Sequence, residues 1–268
     1  MDDQTEDMPV WADDLSRKLK RLIRLTEQQN RLLNFSNLGP DRIVTLNHKG
    51  DPFRMYVPFA NQDYIQRNIL ENQDFYESPM LEALSDLDFM PKGGVVIDAG
   101  SNIGNHAVYF NAYLKPDRMY CFEPQQLAND ALVRNIELNK TGSDVRIFHA
   151  MLGAEEGTGA VSTYKGGNQG AATFAPTDGE GVPMLTLDGA VEDSDHDKVG
   201  FIKIDVEGFQ AHVLRGAHKI LSHRKAVLWI EVFKDEKPET DAVMAEYGYT
   251  SEPLGGARNN HLYRYTGS

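Results

Sequence analysis

One segment of this chain constrains its fold more than any other. In it, the apolar run Val95–Ile97 ends at Asp98, and the chain then turns through Gly100 and Gly104 into a helical pattern. A second apolar run ends at Glu123, 23 residues after Gly100. An α/β domain builds a nucleoside site in this way, because an acid at the end of the second strand accepts hydrogen bonds from both ribose hydroxyls. The segment therefore predicts a nucleoside-binding α/β domain.

The spacing of the glycines indicates which nucleoside is bound. A dinucleotide site has three glycines in the pattern G-x-G-x-x-G, which allows a pyrophosphate to sit on the helix N-terminus. Here the pattern is Gly100-x-x-x-Gly104, and Asp98 precedes the turn by two residues. An acid at that place would repel a phosphate but suits the ammonium group of S-adenosylmethionine. We therefore expect this methyl donor rather than NAD, and we expect it to contact Asp98, Gly100, Ser101, Asn102, Gly104 and Glu123.

Composition and charge exclude several kinds of partner. The 268 residues carry a formal net charge of −13, which argues against nucleic acid, because phosphate backbones bind to basic surfaces. The acidic stretch 1–14 lacks the basic and apolar regions of a signal peptide. No run approaches the roughly 18 consecutive apolar residues of a transmembrane helix. The expectation is a cytoplasmic protein without a transmembrane segment.

The first predicted unit, residues 1–38, is a disordered start followed by an amphipathic arm. Residues 1–10 are rich in acids, whereas leucines recur at spacings of three and four between Trp11 and Leu33, with basic residues on the other face. Three interpretations stay open. The arm could form a coiled coil that joins copies of the chain into a homo-oligomer, lie on a membrane or an anionic partner, or pack on the protein's own catalytic domain.

The second predicted unit, residues 39–90, is a hairpin with a helical cap. Two apolar runs, 42–46 and 53–57, flank a turn-forming segment at 47–52, and two helices are predicted within 61–73 and 77–87. We expect this cap to cover the substrate side of the nucleoside site.

The third predicted unit, residues 91–268, is the nucleoside-binding domain. Apolar strands alternate with helices, which predicts a parallel sheet covered on both faces, and the last two strands predict an antiparallel hairpin at its edge. The expected fold class is α/β, the Rossmann-like three-layer sandwich of class I methyltransferases, with a seven-stranded, mostly parallel sheet. A glycine-rich stretch at 153–183 predicts a β-rich excursion over the active face. The predicted strands are 94–98, 118–123, 144–149, 199–205, 226–232, 249–253 and 260–265, and the helices lie near 104–114, 125–139, 209–221 and 238–247.

Three motifs together resemble a known family. They are the block from Val96 to Gly104 with Phe122-Glu123-Pro124, the linking Pro183-Met184-Leu185-Thr186-Leu187-Asp188, and Ile202-Lys203-Ile204-Asp205-Val206-Glu207-Gly208-Phe209-Gln210. Over roughly residues 75 to 235 the chain resembles the FkbM-type S-adenosylmethionine-dependent methyltransferases. The resemblance implies an O-methyltransferase, whose acceptor is a hydroxyl oxygen of a sugar, a glycan or a secondary metabolite.

Transfer of a methyl group to an alcohol needs a collinear arrangement of reacting atoms and removal of the alcohol's proton. Asp205, Glu207 and Glu231 are the candidate catalytic residues, because each follows or ends a strand at the edge where the methyl group should lie. Asp205 is also a candidate cofactor contact, and Met151 is predicted beside the adenine ring. Glu207 could instead cap the next helix. The three carboxylates could also bind a divalent cation, which is not the favoured reading.

Two other functions compete with methyl transfer. An NAD-dependent oxidoreductase or epimerase suffers from the missing third glycine and from the lack of a Tyr-x-x-x-Lys pair in a plausible place. A catalytically inactive adaptor would use the N-terminal helix to recruit a partner. His106, just past the glycine turn, could face either the cofactor or solvent.

Overall fold

The computed structural model describes residues 10–85, 87, 89, 93–140, 142–164, 172–255 and 258–267. The predicted disordered start therefore lies outside the described residues, except for Val10. In chain order the elements are α1 (Val10–Asn37), β1 (Ile43–His48), β2 (Asp51–Tyr56), α2 (Tyr64–Asn72), α3 (Ser78–Ser85), β3 (Val95–Ala99), α4 (Asn105–Tyr113), β4 (Arg118–Phe122), α5 (Gln126–Leu138), β5 (Asp144–Phe148), β6 (Met151–Leu152), β7 (Gly157–Tyr164), β8 (Ala172–Pro176), β9 (Val182–Leu185), α6 (Leu187–Ala190), a 3₁₀ helix (Asp193–Lys198), β10 (Val199–Ile204), α7 (Gln210–Arg215), α8 (His218–Ser222), β11 (Val227–Glu231), α9 (Lys237–Glu246), β12 (Tyr249–Pro253) and β13 (Asn260–Tyr265).

The central sheet has seven strands in the order β12-β13-β11-β10-β3-β4-β5. The five strands from β11 to β5 pair in parallel, and β13 pairs antiparallel with both β11 and β12. The predicted fold class is thus confirmed. The chain order reverses between β3 and β10, and open α/β sheets bind their ligands at the carboxyl edge beside such a reversal. The sheet places the ends of β4, β3, β10 and β11 side by side at that edge.

One predicted helix is divided in two. The segment 209–221 forms α7 and α8, which are separated at Gly216. A Cβ atom at Gly216 would overlap the backbone carbonyl of Gly153, and the Gly216 carbonyl accepts a hydrogen bond of 2.9 Å from the Asp188 N–H. The prediction of a single helix was wrong because α6 and the loop at Gly153 approach the helix backbone closely at this glycine.

The hairpin and helical cap form as predicted, with a shorter turn. The strand β1 ends at His48 and β2 begins at Asp51, so that the turn contains only two residues. The edge of β2 is held by an asparagine of α5: the Asn135 Oδ1 atom accepts from the Tyr56 N–H at 2.6 Å, and its Nδ2 donates to the Tyr56 carbonyl at 3.1 Å. Buried side chains of the cap share one hydrophobic cluster with the central sheet and α4. The cap is therefore attached firmly beside the carboxyl edge of the central sheet.

The arm is a helix, α1, whose apolar stripe is exposed. The five leucines of the predicted stripe, Leu15, Leu19, Leu22, Leu25 and Leu32, are between 52% and 62% exposed. The interpretation that this stripe packs on the protein's own catalytic domain is therefore wrong. The homo-oligomer and the membrane-surface interpretations stay predictions. Within the described part of the chain, no helix combines the length and the apolar character needed to cross a bilayer.

The predicted β-rich excursion forms a second sheet. Its strand order is β6-β9-β7-β8, with β7 antiparallel to both of its neighbours. Residues 165–171 of the excursion lie outside the described residues. The sheet follows directly after β5 and brings Phe174 to the ligand edge of the central sheet.

Candidate active site

A cavity opens at the carboxyl edge of the central sheet, and most of the predicted site residues line it. These are Gly100, Ser101, Asn102, Glu123, Met151, Asp205, Glu207 and Glu231. They come from loops after four neighbouring strands and from β6, so the parallel sheet brings distant parts of the sequence together. Asp98 and Gly104 are not among the residues that line the cavity.

The two glycines of the turn are explained by packing within the protein. Both have φ +84°, which favours glycine. A Cβ atom on Gly100 would overlap the backbone carbonyl oxygen of Asp205, and one on Gly104 would lie 2.7 Å from the Leu132 Cδ1 atom. The sequence predicts that these glycines let the backbone approach a ligand. The structure adds a second reason for glycine, because the end of β10 and α5 occupy the space that a side chain would need. The approach of a ligand to this backbone stays a prediction.

Glu123 presents a carboxylate that the backbone holds in place. Its Oε2 accepts a hydrogen bond of 2.9 Å from the Asn102 N–H, and its Oε1 accepts one of 2.7 Å from the Gln125 N–H. The side chain is only 4% exposed. Burial raises the pKa of Glu123 to about 7, although the two N–H donors act in the opposite direction. Each oxygen keeps a lone pair free of these two bonds, so the carboxylate can accept from a diol in the cavity.

Asp98 is completely buried behind the glycine turn. Neither of its carboxylate oxygens has a hydrogen-bond partner among the described residues, whereas its backbone carbonyl accepts from the Ser101 hydroxyl at 2.8 Å. Burial raises the pKa of Asp98, and the charge of Lys203 opposes that effect. The side chain is not among the residues that line the cavity, and its contact with an ammonium group, directly or through water, stays a prediction.

The buried Lys203 side chain makes the two carboxylates at the ends of β10 and β11, Asp205 and Glu231, differ in acidity. The Lys203 Nζ atom lies 3.0 Å from the Asp205 Oδ2 atom. Burial favours the neutral form of Asp205, but the attraction of Lys203 outweighs it and lowers the pKa of Asp205. Burial and the negative charge of Asp205 raise the pKa of Glu231 to about 8. The two shifts run in opposite directions, so Asp205 is the stronger acid of the pair.

Glu207 lies between β10 and the following helix. It is in the turn after β10 with φ +44°, and α7 begins only at Gln210. The capping residue Phe209 makes no side-chain hydrogen bond to the helix. Glu207 therefore lies outside the helix and lines the cavity, and its interaction with the helix N-terminus stays a prediction.

The sequence predicted a cap on the substrate side but did not identify the cap residues that contribute to the site. Tyr64, Ile65 and Tyr76 line the cavity, and the Glu77 Oε2 atom lies 3.2 Å from the Nε2 atom of His106. His106 itself also lines the cavity and is 8% exposed. The sequence around these cap residues has no motif for a site, because their role depends on contacts with α4, which is about 30 residues away in the chain. Among the described residues, no group of three or more histidine, cysteine or acidic side chains is arranged to hold a metal ion.

The sheet order, the antiparallel last strand and the acid at the end of β4 define the fold of class I methyltransferases. The family model described as "Methyltransferase FkbM domain" matches residues 98–251. That match covers more than half of the sequence, and the chain therefore belongs to the FkbM methyltransferase family. The resemblance seen in the sequence motifs is confirmed, and the family decides against the oxidoreductase alternative.

Other known proteins are similar to the chain at lower identity. The methyltransferase sdnD of Sordaria araneosa is 23% identical over 217 residues, which cover 67% of this chain and 83% of the relative. The structure of M. jannaschii TYW2 in complex with AdoMet is 17% identical, with a TM-score of 0.39, and covers 84% of this chain and 85% of its own. A precorrin-6y C5,15-methyltransferase from Geobacter metallireducens is 12% identical, with a TM-score of 0.40, and covers 69% of this chain and 85% of its own.

Proposed function

We propose that this protein transfers a methyl group from S-adenosylmethionine to a hydroxyl oxygen of a sugar, a glycan or a secondary metabolite. The observation that carries the proposal is the Glu123 carboxylate, which is buried, held by two backbone N–H groups and lines the cavity. The pair of ribose hydroxyls in the donor suits this carboxylate, because a diol donates two hydrogen bonds to one acid.

The donor would lie across the ends of β3 and β4. Glu123 would bind the ribose, Ala150 and Met151 would pack beside the adenine ring, and the turn with Ser101 and Asn102 would hold the methionine part. The residues fit this group, since the cavity offers an acid for the sugar and apolar side chains for the base. When it is bound, S-adenosylmethionine supplies an electrophilic methyl group on a positively charged sulfur.

The acceptor would lie beside the ends of β10 and β11, next to the cap. Asp205 and Glu231 line this part of the cavity. β10 neighbours β3 on the side opposite β4, and β11 is the next strand beyond β10. Ionised Asp205 accepts a hydrogen bond, whereas Glu231 with its pKa near 8 can donate one. An acceptor with several hydroxyl groups offers both donors and acceptors, and so matches this pair.

The charge of the cavity also favours a neutral acceptor. None of the described residues that line it is lysine or arginine, and the carboxylates of Glu207, Asp205 and Glu231 are among them. Phosphate or carboxylate acceptors usually bind to such cations. The aromatic rings of Tyr64 and Tyr76 offer apolar faces on which a sugar ring or an aglycone can pack. We assign Asp205, Glu207 and Glu231 to binding and orienting the acceptor hydroxyl, without a metal ion.

Calorimetry and a methylation screen test the proposal. Titration of the wild-type protein with S-adenosylhomocysteine should release heat, whereas titration with NAD should not. Glu123→Ala should weaken the binding of S-adenosylhomocysteine by about 1–3 kcal/mol. Hydroxylated glycans and aglycones should then be screened with a tritiated donor. A protein that binds no S-adenosylhomocysteine contradicts the donor assignment. Donor binding without methylation of any hydroxyl compound would instead favour the adaptor alternative.

A further inference from the structure

Two neighbouring residues of the cap meet two neighbouring residues of α4. Tyr76 and Glu77 precede α3, and Asn105 and His106 begin α4 directly after the glycine turn. The Asn105 Oδ1 atom accepts from the Tyr76 N–H at 3.0 Å, and the Asn105 Nδ2 donates to the Tyr76 carbonyl at 3.1 Å. Asn105 is only 3% exposed, so these two hydrogen bonds are shielded from water. They fix the backbone of the cap at the residue before Glu77.

Glu77 and His106 form a shielded pair beside this amide clamp. The Glu77 Oε2 atom lies 3.2 Å from the His106 Nε2 atom, and their side chains are 13% and 10% exposed. Glu77 has φ +61°, a conformation that costs a residue with a Cβ atom about 1 kcal/mol or more and persists only where the surroundings impose it. The unusual backbone thus places a carboxylate next to an imidazole that lines the cavity.

Aromatic neighbours fix the plane of the imidazole. Trp229 meets the His106 ring edge-on at 5.1 Å, and Phe110 stacks on it at 6.1 Å. A carboxylate beside Nε2 favours the tautomer with the proton on Nε2, which leaves Nδ1 with a free lone pair. Nε2 is completely buried and makes no hydrogen bond to the described residues, so its contact with Glu77 at 3.2 Å is electrostatic, and Nδ1 is the nitrogen that remains for a ligand in the cavity.

We propose that His106 is the general base that takes the proton from the acceptor hydroxyl, and that Glu77 orients it from the cap. This inference rests on the proposed function. As the acceptor oxygen forms its bond to the methyl carbon, its proton moves to His106 Nδ1. The carbon–sulfur bond of the sulfonium donor breaks, and its electron pair stays on sulfur. The resulting imidazolium is stabilised by the Glu77 carboxylate, in the arrangement in which an acid orients a catalytic histidine.

The other acids of the cavity are less suited to this task. The Asp205 carboxylate is held by the Lys203 ammonium at 3.0 Å, and its lowered pKa makes it a weak base. Burial and the negative charge of Asp205 raise the pKa of Glu231 to about 8, which favours its protonated form. The charged groups that interact with His106 are the carboxylates of Glu77, Asp205 and buried Asp98, and Lys203 acts on the last two. Of the groups that line the acceptor side, the imidazole combines a free lone pair with a partner for the positive charge.

Nuclear magnetic resonance tests the arrangement without an acceptor. In protein labelled with ¹⁵N-histidine and saturated with S-adenosylhomocysteine, we expect His106 at pH 8 to carry its proton on Nε2 and to have an unprotonated Nδ1. Glu77→Gln should shift the Nε2 resonance and mix the two tautomers. A proton on Nδ1 in the wild-type protein, or a spectrum that Glu77→Gln leaves unchanged, would overturn the proposal.

Kinetics test the role with the acceptor found in the methylation screen. We expect His106→Ala to lower kcat by about 10²–10⁴-fold, with unchanged affinity for S-adenosylhomocysteine, and added imidazole to restore part of the rate. Glu77→Gln should lower kcat less and leave KM for the acceptor nearly unchanged.

His48→Gln is the matched control. His48 lies in another buried pair, with Nδ1 2.7 Å from the Asp74 Oδ1 atom, and it is not among the cavity-lining residues. This variant should retain the wild-type kcat. Wild-type rates in His106→Ala would refute the base while leaving the proposed function intact, whereas a wild-type protein that binds no S-adenosylhomocysteine would refute the proposed function itself. Should His106→Ala fail to fold, the effect of Glu77→Gln on the ¹⁵N-histidine spectrum still tests whether Glu77 orients His106.

Discussion

Replacing Glu123 with Gln should change how the stability of the donor-free protein depends on pH. The Glu123 carboxylate is 4% exposed, and its pKa rises from an ordinary value of 4.5 to about 7 because burial disfavours its charge. A folded-state pKa above the unfolded one means that the native protein holds its proton to higher pH than the unfolded chain does. The free energy of unfolding must therefore fall as the pH rises from 4.5 to 7, and become constant above that range with respect to this group.

The size of the effect follows from the same two values. One pKa unit corresponds to about 1.4 kcal/mol, so the ionisation of Glu123 lowers the stability of the donor-free protein by up to about 3 kcal/mol between pH 4.5 and pH 8. Gln has nearly the same shape and cannot ionise, but its amide group replaces one acceptor oxygen with a donor. The variant should therefore be destabilised at pH 5 and gain stability relative to the wild type as the pH rises.

Urea denaturation of both proteins at pH 5 and pH 8, without donor, measures this difference. The gap between their free energies of unfolding should shift by about 2–3 kcal/mol in favour of the Gln variant at the higher pH. Donor affinity should follow the opposite course: it should rise through pH 7 in the wild type, because ionised Glu123 accepts from both ribose hydroxyls, and stay constant in Glu123→Gln. Parallel pH dependences of stability in the two proteins would refute the assignment of a buried, protonated Glu123.

Two further predictions concern packing and charge behind the cavity. Gly100→Ala should destabilise the protein by about 3 kcal/mol or more in urea denaturation, because the new Cβ atom overlaps the Asp205 carbonyl. The control Gly39→Ala, with φ +68° and nothing within 4 Å, should cost only about 1–2 kcal/mol; equal losses would contradict the steric argument. Lys203→Met should destabilise by about 3–5 kcal/mol, because it leaves buried carboxylates without their cation. The double variant Lys203→Met/Asp205→Asn should recover part of that loss in the same assay, and additive losses would show that the ion pair is not the cause.

The sequence predicted the parts of the site that follow from local patterns. Parallel strands read as apolar runs, and an acid after such a run must lie at the carboxyl edge of the sheet, as Glu123 and Glu231 do. The partner of a residue at that edge is not encoded locally. Lys203 pairs with Asp205 because side chains two apart on a strand share a face, and an ion pair could be expected there. The pairing of Glu77 with His106 depends on where the cap docks, which no spacing in the sequence reveals.

Other differences between the predictions and the structure arise from backbone conformation and packing, which the residue types do not determine. Glu207 follows a strand and precedes a helix, a place where an acid often caps the helix. Its left-handed conformation and the later start of α7 leave it outside the helix, where it lines the cavity. The leucines of α1 fit packing on the same chain and packing on another molecule equally well. Amphipathic periodicity identifies an apolar face of a helix, but it does not identify the surface that covers this face.

Asn105 and His106 connect the turn proposed to hold the donor with the cap beside the proposed acceptor site. Both follow Gly104 directly, so the turn that would hold the donor continues into the residues that bind the cap. The Asn135 side chain adds a second tie, since its Nδ2 donates both to the Ile103 carbonyl of the turn at 2.7 Å and to the Tyr56 carbonyl of β2 at 3.1 Å. A change in the cap that alters the acceptor pocket can therefore keep the base aligned only if these backbone contacts persist. The backbone at Tyr76 is the fixed point of the cap, because its N–H and carbonyl are both bound by Asn105.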